Sequence, residues 1–132
     1  MSFVTSEPNQ SPIVVEATFG VAPAEVFRAW TEPELVKQWF GASPGKLQDA
    51  SIDLRPGGTW CFVETGDRHG KVGFEGTYLE IATDHLLVFS WVKFAEPNAG
   101  RRTETPPSRV EITLTKVDAG TAMRIVHSAV DP

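Results

Sequence analysis

Between residues 18 and 41 the chain reads TFGVAPAEVFRAWTEPELVKQWFG, and nearly everything after it has the character of β-strand. Within that stretch Val26, Phe27 and Trp30 recur at helical spacing, as do Leu35, Val36, Trp39 and Phe40. Each set forms one apolar stripe, with Glu25, Arg28, Lys37 and Gln38 turned away from it. Pro23 suits a first helical turn, because proline's missing N–H is one the helix would leave unbonded there. Thr31 and Glu34 have the spacing of a capping box for the second helix, and Gly41 suits its end. A strand feeding two short aromatic-rich helices, followed by strands alone, restricts the architecture to α+β.

The rest of the pattern divides cleanly. Ile13 to Phe19 reads as the first strand, behind a polar tail over residues 1–12, so residues 13–132 form a single domain. After a loop at 42–46, Lys46 to Arg55 alternates, and Pro56-Gly57-Gly58 makes a turn in which glycine supplies the positive φ. Thr59 to Thr65 follows, with Trp60, Phe62 and Glu64 on one face. A loop carrying Gly66, Asp67, His69 and Gly70 leads into Val72 to Ile81, and Thr83-Asp84-His85 turns the chain again. Leu86 to Phe94 is apolar on both faces, as a central strand should be. Ala95 to Pro107 reads as a long exposed loop. Arg109 to Lys116 alternates cleanly, Asp118-Ala119-Gly120 is a hairpin turn, and Thr121 to Val130 puts Met123, Ile125 and His127 on one face. The expected order is β-α-α followed by six antiparallel strands in a meander.

Composition narrows the function. A net charge of −5 with only one adjacent basic pair, Arg101-Arg102, argues against nucleic acid and anionic lipid as partners. The single cysteine, Cys61, excludes an internal disulfide and sits in an apolar strand, as a small core residue would. No apolar run approaches the roughly 18 residues of a membrane span, and the tail lacks the order of a secretion signal. A cytoplasmic location is expected. The three histidines lie in distant segments, so no metal-ligand spacing emerges, and no phosphate-binding loop or other cofactor motif is present.

Several segments in this order resemble the START-like superfamily of helix-grip folds: APAEVFRAWTEPELVKQWF at 22–40, RPGG at 55–58 with Trp60 following, FEGTYLEI at 74–81, LLVFSW at 86–91 and TAMRIVHS at 121–128. Within it the chain looks like the branch named for activators of the heat-shock-protein-90 ATPase. The resemblance implies a curved antiparallel sheet enclosing an apolar ligand cavity. Family members cover that sheet with a long C-terminal helix. Here the sequence reads HSAV over 127–130 and then Asp131-Pro132, so the resemblance implies a fold lacking that helix.

A six-stranded sheet face of about 500–600 Å² matches or exceeds the apolar patch a monomer usually exposes, about 300–600 Å². Two short helices cover one end of such a face. A homodimer through the remaining sheet surface is therefore expected.

In the implied cavity, strand phase aims Trp60, Phe62, Phe74, Tyr78, Trp91 and His127 inward, with Trp39 and Phe40 near one mouth. Aromatic walls with a few polar groups suit a small-molecule pocket, although alternating aromatics also build ordinary cores. His127 would either contact a ligand, act as a base, or be satisfied by a neighbouring polar group. Glu64 is either an acid in apolar surroundings or a strand-end residue in water. Three functions follow: a non-enzymatic binding module for a small hydrophobic molecule, a chaperone-interaction module, or a cyclase- or hydrolase-type enzyme using His127 or Glu64.

Overall fold

The computed structural model describes residues 12–40, 47–66, 70–97 and 100–129. Strand β1 (Ile13–Phe19) leads into helices α1 (Pro23–Thr31) and α2 (Pro33–Trp39). Strands β2 (Leu47–Ile52), β3 (Thr59–Gly66), β4 (Gly70–Ala82), β5 (Leu86–Glu96), β6 (Thr103–Glu104), β7 (Ser108–Val117) and β8 (Gly120–Ala129) follow. They form one antiparallel sheet in the order β1-β8-β7-β5-β4-β3-β2, with β6 paired to β5. The meander is as expected, and β1 closes it by pairing along its whole length with β8, from Ile13 opposite His127 to Phe19 opposite Thr121. No helix follows β8 among the described residues. The expected tail up to residue 11, Gly41, the loop at 42–46, Asp67, His69 and the segment 130–132 lie outside the described residues.

Two local expectations need correction. Thr31 caps nothing: it ends α1, where its hydroxyl donates to the Phe27 carbonyl at 2.8 Å. The N-cap of α2 is Glu32, without a side-chain cap bond, and Pro33 opens the helix. The segment from Ala95 to Pro107 is also not all loop, since β5 runs to Glu96 and Thr103–Glu104 returns to pair with Phe94 and Ala95. Arg102 fastens it. Its guanidinium reaches Glu75 at 2.9 Å, Glu96 at 2.7 Å and Glu104 at 2.9 Å, and sits 4.2 Å from the centre of the Phe94 ring.

The sheet is not uniform. The β7–β8 ladder is unbroken from Ser108–Ala129 to Val117–Gly120. In contrast, register shifts occur between Leu47 and Asp49 on β2 and between Tyr78 and Glu80 on β4. Near the second irregularity the Thr77 N–H is bonded by the Ser90 hydroxyl at 2.8 Å instead of a ladder carbonyl. Such bulges bend a strand and increase its twist. Gly76 permits the closest approach there: a Cβ would lie 1.8 Å from the Ser90 carbonyl oxygen and 2.8 Å from Trp60 Nε1.

The expectation of an uncovered apolar sheet face does not hold. Val110 and Ile112 are 0% and 1% exposed in the single chain, Met123 and Ile125 2% and 1%, and His127 3%. Plan-area arithmetic treats the sheet as flat. Here it curves, and large rings from β3, β4 and β5 meet the helices across the hollow. The homodimer loses the exposed surface on which it rested.

Candidate functional site

The helices carry the site's outer wall. Val26, Phe27 and Trp30 of α1 and Val36 of α2 are buried, as their stripes require. Trp39 is held in place by its own polar edge, since Nε1 donates to the Ala29 carbonyl at 2.9 Å. Its ring meets Trp30 edge-on with 4.6 Å between centroids. The two helices are thus joined by a tryptophan pair, whose geometry favours aromatic attraction. The exposed side carries ordinary helix pairs, Arg28–Glu32 at 2.6 Å and Lys37–Glu34 at 3.6 Å.

Phe40, just past α2, links this wall to the sheet. Its ring centroid lies 5.6 Å from Trp39, 4.9 Å from Phe62, 5.4 Å from Phe74 and 5.9 Å from Trp91. Trp60 lies 4.8 Å from Phe62, 5.6 Å from Trp91 and 5.3 Å from Phe89, and Tyr78 joins through Phe89 at 6.2 Å. Trp91 reaches His127 at 5.7 Å. All eight residues picked from the sequence therefore fall in one connected ring network: Trp39, Phe40, Trp60, Phe62, Phe74, Tyr78, Trp91 and His127. Phe89 and Trp30 belong to it as well and were not among them.

The polar groups of this network are few. Ser108 Oγ lies 2.6 Å from His127 Nε2, and 3.4 Å from the Trp91 carbonyl oxygen, to which it donates. Ser108 is 6% exposed and His127 3%. Burial pushes the His127 imidazole below its ordinary pKa of 6.5, so it is neutral at pH 7. Burial also raises the Tyr78 phenol well above its usual value, keeping it protonated. Two buried polar atoms have no hydrogen-bond partner among the described residues: Trp60 Nε1, a donor, and Glu64 Oε1, an acceptor. Glu64 is half-buried and pairs with Leu47, whose side chain belongs to the core. The strand-end alternative in open water does not describe it.

Two spaces border the ring network. Inside the network a cavity of about 10 Å³ is bounded by Trp30, Phe40, Trp60, Tyr78 and Trp91, among others. That is about the room one water molecule needs. Outside it, a groove of about 360 Å³ runs between β1, β8 and the helices, lined by Phe19, Val21, Val26, Trp30, Trp39 and Met123, with Glu25 on its rim. Trp30 borders both spaces and so forms the partition between them. Among the described residues, no cluster of three or more His, Cys, Asp or Glu is placed to hold a metal. No helix among them is long and apolar enough to cross a membrane. Cys61 is half-buried on β3, and burial raises its thiol pKa, helped by Glu75 and Asp49.

A two-helix wedge closing one end of a curved antiparallel sheet around an aromatic interior defines the helix-grip class. The family profile of the Activator of Hsp90 ATPase homolog 1-like proteins matches residues 21–132, and the chain belongs to that family. No curated protein matches the chain. Among solved structures, an uncharacterised protein from Rhizobium leguminosarum is 24% identical with a TM-score of 0.75, covering 89% of this chain and 74% of its own. A protein from Rhodobacter sphaeroides is 19% identical with a TM-score of 0.75, covering 96% of this chain and 78% of its own. A protein from the dynemicin biosynthetic locus is 22% identical with a TM-score of 0.67, covering 92% of this chain and 38% of its own. These likenesses establish the fold.

Proposed function

We propose that the chain is a non-enzymatic binding module for a small hydrophobic molecule. The supporting observation is the junction of groove and ring network at Trp30. The groove's volume, about 360 Å³, is near the lower end of the roughly 300–1,000 Å³ typical of small-molecule sites. Its walls are apolar, and the network behind them extends from Trp39 to His127 through ring contacts. A ligand seated in the groove advances inward by turning the Trp30 and Phe40 rings, since the existing inner cavity is too small for it.

The test is a titration with neutral aromatic probes, read by tryptophan emission and melting temperature. Trp30 and Trp39 line the groove and Trp60 and Trp91 lie inside, so all four tryptophans are placed to report. Saturable quenching together with a raised melting temperature is expected. Unchanged emission and melting temperature across neutral probes and lipids would defeat the reading.

The short Ser108–His127 contact favours a second reading, ester hydrolysis with Ser108 as nucleophile and His127 as base. It predicts turnover of small aryl esters that Ser108→Ala abolishes. The binding reading predicts no turnover.

A further inference from the structure

Residues 100–107 form a strap against the sheet, and its attachments are light. Its strand, β6, has two exposed residues and pairs with β5 at Phe94 and Ala95 alone. Farther along, the Thr105 N–H donates to the Lys93 carbonyl at 2.9 Å, and the Thr105 hydroxyl oxygen accepts from the Lys93 N–H at 3.0 Å. A third attachment is ionic. Three different nitrogens of Arg102 bond carboxylates on β4, β5 and β6, and the guanidinium lies over Phe94, which is 3% exposed. Arg102 and these three carboxylates are between 32% and 51% exposed, so dissolved salt weakens the clasp.

The strap leads straight to a buried polar pair. Pro106 and Pro107 carry the chain from Thr105 into Ser108 with φ fixed at both positions, so a displacement of the strap is passed on to Ser108. Ser108 stands opposite Trp91 on β5, and its hydroxyl covers His127 Nε2 at 2.6 Å. Ser108 is 6% exposed and His127 3%. This end of the interior lies away from the groove. His127 is opposite Ile13, whereas the groove is lined by Phe19, and Ile13 and Phe19 are the two ends of β1, about 20 Å apart.

We propose that residues 100–107 are a salt-sensitive strap, clasped by Arg102, that closes the Ser108–His127 end of the interior. Breaking the ion pairs of Arg102 lifts the strap from β5 and admits small molecules to His127 while β7 and β8 stay paired. The device works whether or not the groove takes a ligand.

The test uses diethyl pyrocarbonate, which acylates a neutral imidazole nitrogen, and burial keeps His127 neutral. The full-length protein is treated in low and in high sodium chloride, and modification of each histidine is followed by peptide mass mapping. His85 is exposed and serves as the reference. The His127 rate relative to His85 should rise about fivefold in high salt, and by a similar factor in Arg102→Ala at low salt. Adding salt to that variant should bring no further rise. Amide exchange at residues 112–114 of β7, followed in the same samples, should not change. The salt comparison needs no substitution, so it decides the matter even where the variant folds poorly. A His127 rate indifferent to salt and to Arg102→Ala would overturn the proposal. So would a rise matched by faster exchange at 112–114, because His127 would then be reached through unfolding of the sheet.

Discussion

The two halves of the sheet are built differently. Strands β1, β8 and β7 pair without interruption, and their inner face is mainly aliphatic: Val110, Ile112, Leu114, Met123 and Ile125, none more than 4% exposed. Strands β2, β3 and β4 contain two register shifts, and their inner face carries Trp60, Phe62, Phe74 and Tyr78. The unpaired indole, the unpaired carboxylate oxygen and the small cavity all border the second half. The regular half contributes the β1 and β8 walls of the groove, and the bent half contributes the ring network behind it.

Substitutions can break that contrast in either half. Ile112→Ala should have the largest effect, about 4 kcal/mol of stability by denaturant unfolding, because a 1%-exposed side chain in an unbroken ladder leaves a cavity that cannot collapse. A loss below about 1 kcal/mol would mean the aliphatic half is no better packed than a surface. In the bent half, Gly76→Ala should cost about 3 kcal/mol, since its Cβ collides with the Ser90 carbonyl oxygen. It should also perturb Trp60 fluorescence, because the indole edge touches the same point.

His127 stands where the halves meet. His127→Ala should lose about 2 kcal/mol by removing the close partner of the Ser108 hydroxyl, which keeps only its 3.4 Å contact with the Trp91 carbonyl. Its pH dependence has a definite sign. The folded-state pKa lies below 6.5, so the unfolded chain takes up the proton first as pH falls. Stability contributed by neutral His127 is complete above pH 6.5 and declines below it, by at most about 1.4 kcal/mol per pH unit, until the folded-state pKa is passed. The difference in unfolding free energy between wild type and His127→Gln should shrink over that window. A constant difference would contradict the burial.

The smallest effect belongs to the outer face. Arg102→Ala should cost about 1 kcal/mol, reduced by salt, because the side chain is partly exposed. Hydrogen exchange should quicken at Phe94 and Ala95, where β6 pairs, while exchange in β7 and β8 stays unchanged.

What the sequence disclosed follows the same division. Strict alternation made β7 and β8 legible almost to the residue and put His127 on the correct face. Ser108 was missed although it continues the phase of Val110, Ile112 and Leu114, because Pro106-Pro107 suggested that the loop extended to it. β6 has two residues and therefore no period to read. The glycines of GFEG at 73–76 were the unread signal in the bent half. Gly73 pairs with Phe94 and Gly76 with Trp60, so each glycine marks a ring lying against the strand. The filled hollow was also hidden, since neither alternation nor area records how far a sheet curls.

The central claim is that the groove beside Trp30, backed by the ring network, receives a ligand. The most direct measurement is an NMR titration with 9-fluorenone, following the indole signals of the four tryptophans and the amides of β7 and β8. Saturable shifts at Trp30, Trp39 and the Met123 amide, with the amides of residues 112–114 still, are the predicted result. Shifts confined to β7, or no saturable shift at any tryptophan, would contradict the account.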